Sequence, residues 1–189
     1  VLDVVDRSMN VLARLLPLPR PLALAWLGLA VVPLLGSLVT EPAAMTLAAL
    51  MLAPLLFTPA MPERLKYAAL GVLFVNISIG GTLTAYAAPP VLMVAATWQW
   101  DTAFMASTFG WKAALAVLLN ATVMVALLRK PLRNAPAVAH ADGAPIPWVV
   151  SAVHLAFLAG VVVLAHHPVL FLGLFLFFLG YTQAYARFQ

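Results

Sequence analysis

The sequence predicts an all-α, polytopic membrane protein, and three observations carry that prediction. Of 189 residues, 65% are apolar and only 8% charged, against about 25% charged in an average soluble domain. Ten Lys plus Arg and six Asp plus Glu cannot give a chain of this length a polar skin. The apolar residues also fall in long runs, and spanning the ~30 Å hydrocarbon layer takes roughly 20 helical residues, so the length allows about five or six passes. Fifteen prolines and ten glycines place some of those passes among the broken ones. The absence of cysteine excludes disulfides, thiolate metal sites and Cys nucleophiles. The chain begins with Val and shows no cleavable signal peptide, as expected of a segment starting inside a longer protein.

Over residues 1–16, Asp3, Asp6, Arg7, Asn10 and Arg14 recur every three or four positions, with Val4, Val5, Val11, Leu12 and Leu15 opposite them. This pattern predicts an amphipathic interfacial helix, ended by Pro17, Pro19 and Pro21. Residues 22–58 carry two apolar arms joined by the polar tip Thr40-Glu41-Pro42 at 40–42, which predicts a helical hairpin. Pro33 and Pro54 within the arms favour a re-entrant form over a full crossing. Residues 64–97 are long enough to span, but Asn76, Ser78, Gly80, Gly81, Thr82, Thr84, Pro89 and Pro90 interrupt the middle, so a broken transmembrane helix is expected.

Trp98, Trp100 and Trp111 around Asp101 fit an aromatic belt at the water interface. A regular pass follows over 109–128, stopped by Arg129, Lys130 and Arg133. Residues 129–147, rich in Ala and Pro, read as a cytoplasmic linker, and residues 148–186 hold two final passes that turn at His166-His167-Pro168. If each segment crosses in turn, nine of the ten basic residues share one side: Arg7, Arg14, Arg20, Arg64, Lys66, Arg129, Lys130, Arg133 and Arg187. Lys112 stands alone near the other face, as the positive-inside rule expects. The calculated pI of 9.9 therefore reflects topology and not nucleic-acid binding.

The two polar interruptions are the candidate sites. Backbone that leaves helical geometry at membrane depth costs several kcal/mol per unsatisfied group, and paired breaks form ion sites in secondary transporters. Glu41 is the only acidic residue between Asp6 and Glu63. It reads either as a cation or proton ligand or as a hairpin-turn residue favoured by the helix dipole. In the second break, Asn76, Ser78, Thr82 and Thr84 offer oxygen ligands suited to sodium-like ions, while Gly80 and Gly81 let the backbone unwind. The alternative there is a glycine-lined packing face with a proline kink. His154 is a mid-span proton relay or a hydrogen-bonded core histidine, and Asn120 with Thr122 reads as interhelical glue. No catalytic triad, phosphate loop or zinc motif is present, so no enzyme and no cofactor are expected.

Ser78-Ile79-Gly80-Gly81-x-x-Thr84 followed by Pro89-Pro90 resembles the signature loop of ion transporter superfamily members such as the divalent-anion/sodium symporters. The wider pattern of Gly36 to Thr46, Asn76 to Ala95 and Phe109-Gly-Trp-Lys-Ala resembles the sodium/proton antiporter family of that superfamily. The resemblance implies that Thr40, Glu41 and Pro42 stand at the first repeat's hairpin tip, with Asn76 to Thr84 at its unwound helix. It also implies a midplane ion site completed by a second repeat, so that this chain is a fragment or half of a transporter needing the missing repeat or a homodimer partner. Thr40-Glu41-Pro42 replaces the symporters' Ser-Asn-Thr, and Val91 replaces their Asn after the two prolines. Both departures point away from dicarboxylates, and Glu41 points toward a cation or proton. The expected function is cation/proton antiport in a bacterial inner membrane. Sodium-coupled uptake of an organic anion and a non-transporting structural subunit are the alternatives.

Overall fold

In the computed structural model the described residues are Met9, 11–134, 148–163 and 168–185. Asp3, Asp6, Arg7 and Asn10 of the amphipathic segment, residues 135–147 of the linker, His166, His167 and Arg187 lie outside them. All regular structure among the described residues is helical, with no strand. Two compact units are present, one holding helices α1–α5 and the other α6 and α7.

Residues 11–15 are helical, with Ala13 buried and Arg14 exposed. Helix α1 spans Arg20–Leu35; Pro21 falls in its first turn, where a missing N–H costs nothing. Its middle, Leu27–Val31, opens into a π turn just before Pro33. Ala23, Ala25, Leu29, Ala30 and Val32 have no exposed surface at all, so α1 is the central post of the unit. It packs against α2, α3 and α5.

A tight turn over residues 36–40 leads into α2, Glu41–Leu56. Ala44, Ala48, Leu52 and Leu55 line its buried face at the three- and four-residue spacing of one helical stripe. Helix α3, Glu63–Gly80, buries Ala69, Leu73, Asn76, Ile77 and Gly80 at the same spacing. It tightens into a 3-10 turn at Gly81–Leu83, and regular structure stops over residues 84–88. Helix α4, Pro89–Trp98, then starts on its two prolines, which suit a first turn because its N–H groups have no intrahelical acceptor.

Gln99 closes α4 in the left-handed conformation, with φ 54°, and Asp101 caps the next helix by accepting the Phe104 N–H at 2.7 Å. Helix α5 comprises Thr102–Met105, a π turn at Ala106–Gly110 and the long segment Trp111–Asn134. It buries Ala113, Val117, Ala121, Met124, Leu128 and Leu132 against α3 and α1. The sequence reading ended this pass at Leu128, whereas the helix runs on through Arg129, Lys130 and Pro131. The cations that looked like stop signals are good helix formers, and they sit at the negative end of the dipole. Trp98, Trp100, Phe104 and Phe109 form one ring cluster with centroids 4.8–6.1 Å apart, and the Lys112 ammonium lies 5.5 Å from the Trp111 ring centre.

Helices α6, Trp148–Val163, and α7, Pro168–Ala184, pack on each other through rings. Phe157 meets Phe177, Phe178 and Tyr181. His154 stands edge-on to Phe178 and Tyr181, with Nδ1 2.7 Å from the Val150 carbonyl one turn back. This is the geometry of a satisfied core histidine. Among the described residues two helices, Glu63–Leu83 and Thr102–Arg133, are long and apolar enough to cross a bilayer, and shorter apolar helices accompany them.

Candidate functional site

The hairpin tip and the helix break, 40 residues apart in sequence, meet in space. Gly80 makes the approach possible, because a Cβ there would fall 2.7 Å from the Pro33 carbonyl oxygen and 2.9 Å from its carbon. Backbone therefore lies directly on backbone. Buried Ser37, on the turn after α1, donates its hydroxyl to the Gly80 carbonyl, and buried Thr84 donates to the Ser37 carbonyl at 2.8 Å. The pair is reciprocal: each segment supplies one hydroxyl and one carbonyl. On the outer side, the Glu41 N–H donates to the Ala87 carbonyl at 3.3 Å. The Gly80 and Ala87 carbonyls are thus taken up by the turn and tip, as burial demands.

Glu41 is the first residue of α2, half-buried, with Thr40 as the N-cap accepting the Ala43 N–H at 3.4 Å. The carboxylate sits at the positive end of the α2 dipole and accepts a hydrogen bond from Ser78 Oγ at 3.2 Å. This is a side-chain contact between the acidic tip and the broken helix. Ser78 is exposed and Thr82 half-buried, but the Thr82 hydroxyl is turned back onto the Ile79 carbonyl at 2.6 Å. Gly81 is buried against Ala88.

Asn76 is only two residues from Ser78 in sequence but lies on a different face of α3. It is completely buried. Its Nδ2 donates to the Leu29 carbonyl of α1 at 2.8 Å and to the Val117 carbonyl of α5 at 3.3 Å. Its Oδ1 accepts from Asn120 Nδ2 at 3.0 Å. Of the residues singled out in the sequence, Thr40, Glu41, Ser78, Gly80, Gly81 and Thr84 therefore gather where tip and break meet. Asn76 stands one layer inward, between three helices. Thr122 accepts the Trp26 indole N–H at 3.1 Å, so it does tie α5 to α1.

Ser37, Ala87 and the partnership of Asn120 with Asn76 were not legible as parts of this site. Ser37 did carry a signal, as a hydroxyl inside the otherwise apolar run from Leu22 to Val39. An apolar cleft of about 330 Å³ between α2 and α3, lined by Ala49, Leu52, Ala53, Leu56, Ala69 and Leu73, has side chains that offer an ion no ligand. Among the described residues no cluster of three His, Cys, Asp or Glu is suited to a resident metal.

Apolar helices of spanning length, together with a backbone break whose polar groups are closed internally, define an integral membrane protein of the all-helical class. The family model described as "Putative Na+/H+ antiporter" matches residues 1–189, and the chain belongs to that family. By that description the family is one of ion transporters, with sodium ions, protons and the lipid bilayer as its implied partners. No curated protein and no solved structure matches the chain.

Proposed function

We propose that the chain carries out sodium/proton antiport, with Glu41 as the carboxylate that holds either a proton or the cation. The observation that carries this reading is the Glu41–Ser78 contact at 3.2 Å. It sets the one acidic side chain of the hairpin against a hydroxyl on the broken helix, at a helix start stabilised by Thr40. A sodium ion favours hard oxygen ligands, and the carboxylate with the Ser78 hydroxyl supplies two. Thr40, Thr82, Thr84 and the backbone around Gly80 and Gly81 shape the rest of the shell. Loss of the Glu41 proton and arrival of the cation leave the site's charge unchanged, which couples the two ions.

The hairpin is read as re-entrant. Its arms, Arg20–Leu35 and Glu41–Leu56, are each about 24 Å long at 1.5 Å per residue, short of the ~30 Å core. Its tip, and with it Glu41, then lies inside the membrane, with the basic end of the linker cytoplasmic. One hairpin-and-break unit supplies half of an ion shell; a second such unit, or a second copy of the chain, supplies the other half.

The test is sodium-22 uptake by proteoliposomes of the full chain under an imposed pH gradient. Glu41→Gln keeps the size of the side chain, removes the titratable group and is expected to abolish pH-driven uptake. Full uptake by this variant would remove Glu41 from the mechanism. Counterflow of a labelled carboxylate in its place would assign the site to organic-anion symport.

A further inference from the structure

Pro33 creates a vacancy in the hydrogen bonding of α1. In a regular α-helix the Leu29 carbonyl accepts from the N–H of residue 33, and proline has none. Leu29 lies inside the π turn at Leu27–Val31, where the Val32 N–H reaches five residues back to the Leu27 carbonyl. Position 33, where the register returns to α, is the next donor in line for the Gly28 and Leu29 carbonyls and supplies neither. Leu29 has no exposed surface through which water could replace it. Asn76 Nδ2 fills that place at 2.8 Å from the Leu29 oxygen. The second amide proton goes to Val117 on α5, and Asn120 fixes which way the amide faces by donating to its oxygen. The amide orientation is thus defined by three partners on two neighbouring helices.

We infer that Asn76 is a positioning residue for the Glu41–Ser78 pair, acting by plugging the Leu29 carbonyl that Pro33 leaves open, and is not itself an ion ligand. This rests on the antiport reading above. The side chain is completely buried and its oxygen already accepts from Asn120, so an ion reaches that oxygen only by displacing its neighbours. Two residues on, Ser78 meets Glu41; four residues on, Gly80 meets Pro33 itself. Asn76 therefore fixes the rotation and depth of α3 against α1 at the point where the helix is about to break. Both contacts bear on the same stretch of α1: Asn76 donates to the Leu29 carbonyl, and Gly80 packs on the carbonyl of Pro33.

The role predicts a specific rescue. Pro33→Ala restores an N–H within reach of the Leu29 carbonyl, where the helix returns from π to α register, and so reduces the need for Asn76. In sodium-22 uptake by the full chain in proteoliposomes, Asn76→Ala is expected to raise the half-saturating sodium concentration by about tenfold or more, in line with the cost of misplacing reacting groups. The double variant Pro33→Ala/Asn76→Ala is expected to recover most of that loss, to within about threefold of the parent, as a non-additive cycle between coupled residues. Asn76→Asp keeps the oxygen ligands and loses the donors, so it is expected to fail as Asn76→Ala does.

An ion ligand would behave in the opposite way: Asp at position 76 would retain sodium, and Pro33→Ala would rescue nothing. Either result overturns the inference. Should Asn76→Ala fail to fold, Asn120→Ala removes only the donor to Oδ1 and is expected to shift half-saturation in the same direction by about threefold; an unchanged value overturns the inference. Glu41→Gln, run in parallel, separates the two claims. If it abolishes uptake while the rescue fails, the role of Asn76 falls alone; if it transports normally, the antiport reading falls first.

Discussion

Replacing Gly80 by Ala puts the meeting of tip and break under direct strain. The added methyl would lie 2.7 Å from the Pro33 carbonyl oxygen and 2.9 Å from its carbon, where unstrained non-bonded contacts sit at about 3.5 Å. Both obstructing atoms are backbone, held inside a packed helix, so no side chain can swing aside. Overpacking of this kind costs about 1–3 kcal/mol. Pushing α3 outward also breaks the buried bond from Ser37 to the Gly80 carbonyl, a further loss of about 1 kcal/mol. Part of this is returned, because Ala is better than Gly in a helix by up to about 1 kcal/mol. The net is a destabilisation of about 1–3 kcal/mol, or a fall in the thermal midpoint of about 3–10 °C for a chain of this size.

A retreat of only half an ångström also stretches the 3.2 Å Ser78–Glu41 contact out of hydrogen-bonding range, so sodium uptake should fall with stability. Gly71 supplies the control. It lies in the same helix, and nothing stands within 4 Å of a Cβ built on it, so Gly71→Ala should be neutral or slightly stabilising. Midpoints of the purified full chain in detergent, read by intrinsic tryptophan fluorescence and paired with proteoliposome uptake, make the comparison. If Gly80→Ala melts with Gly71→Ala and transports as the parent does, the close approach of break and tip is not what shapes this site.

Two further outcomes follow from the α4–α5 connection. Gln99 adopts φ 54° as the C-cap of α4, a region that disfavours residues with a Cβ, so Gln99→Gly should raise the thermal midpoint by the equivalent of about 1 kcal/mol; a fall would refute the strain. Asp101→Ala removes the cap at the Phe104 N–H and should lower the thermal midpoint by the equivalent of about 1 kcal/mol; an unchanged midpoint would refute the contribution of the cap.

The architecture was legible in outline because punctuation inside an apolar run is local information. Thr40-Glu41-Pro42 announces a helix start through its own residues, and Gly80-Gly81 with Pro89-Pro90 announces an unwinding and a restart. Partnership is not local. Asn76 and Ser78 look alike as oxygen-bearing side chains in one segment, yet one is sealed between three helices and the other is exposed. A two-residue offset places them on different faces of α3, but which face meets α1 depends on packing. Ser37 was passed over because a hydroxyl in a turn is common, and its importance comes only from the Gly80 carbonyl that α3 brings to it. The continuation of α5 beyond Leu128 was missed for a different reason: Arg129, Lys130 and Arg133 are equally at home on an exposed last turn and in a linker.

The π turns in α1 and α5 act as phase shifters. Each inserts one residue into an otherwise regular helix, and one residue corresponds to about 100° of rotation. Side chains on the two sides of the insertion therefore keep different angular books, and a single amphipathic stripe drawn through either helix loses its bearing there. In α1 the shift falls at Leu27–Val31, between the segment that starts at Arg20 and the turn that carries Ser37; in α5 it falls at Ala106–Gly110, which carries Phe109 of the aromatic cluster and precedes the face that meets Asn76. Deleting one residue from either turn would rewind everything beyond it by the same angle of about 100°. Helix length in this protein is thus also an angular coordinate, and it sets which neighbour each half of a helix can address.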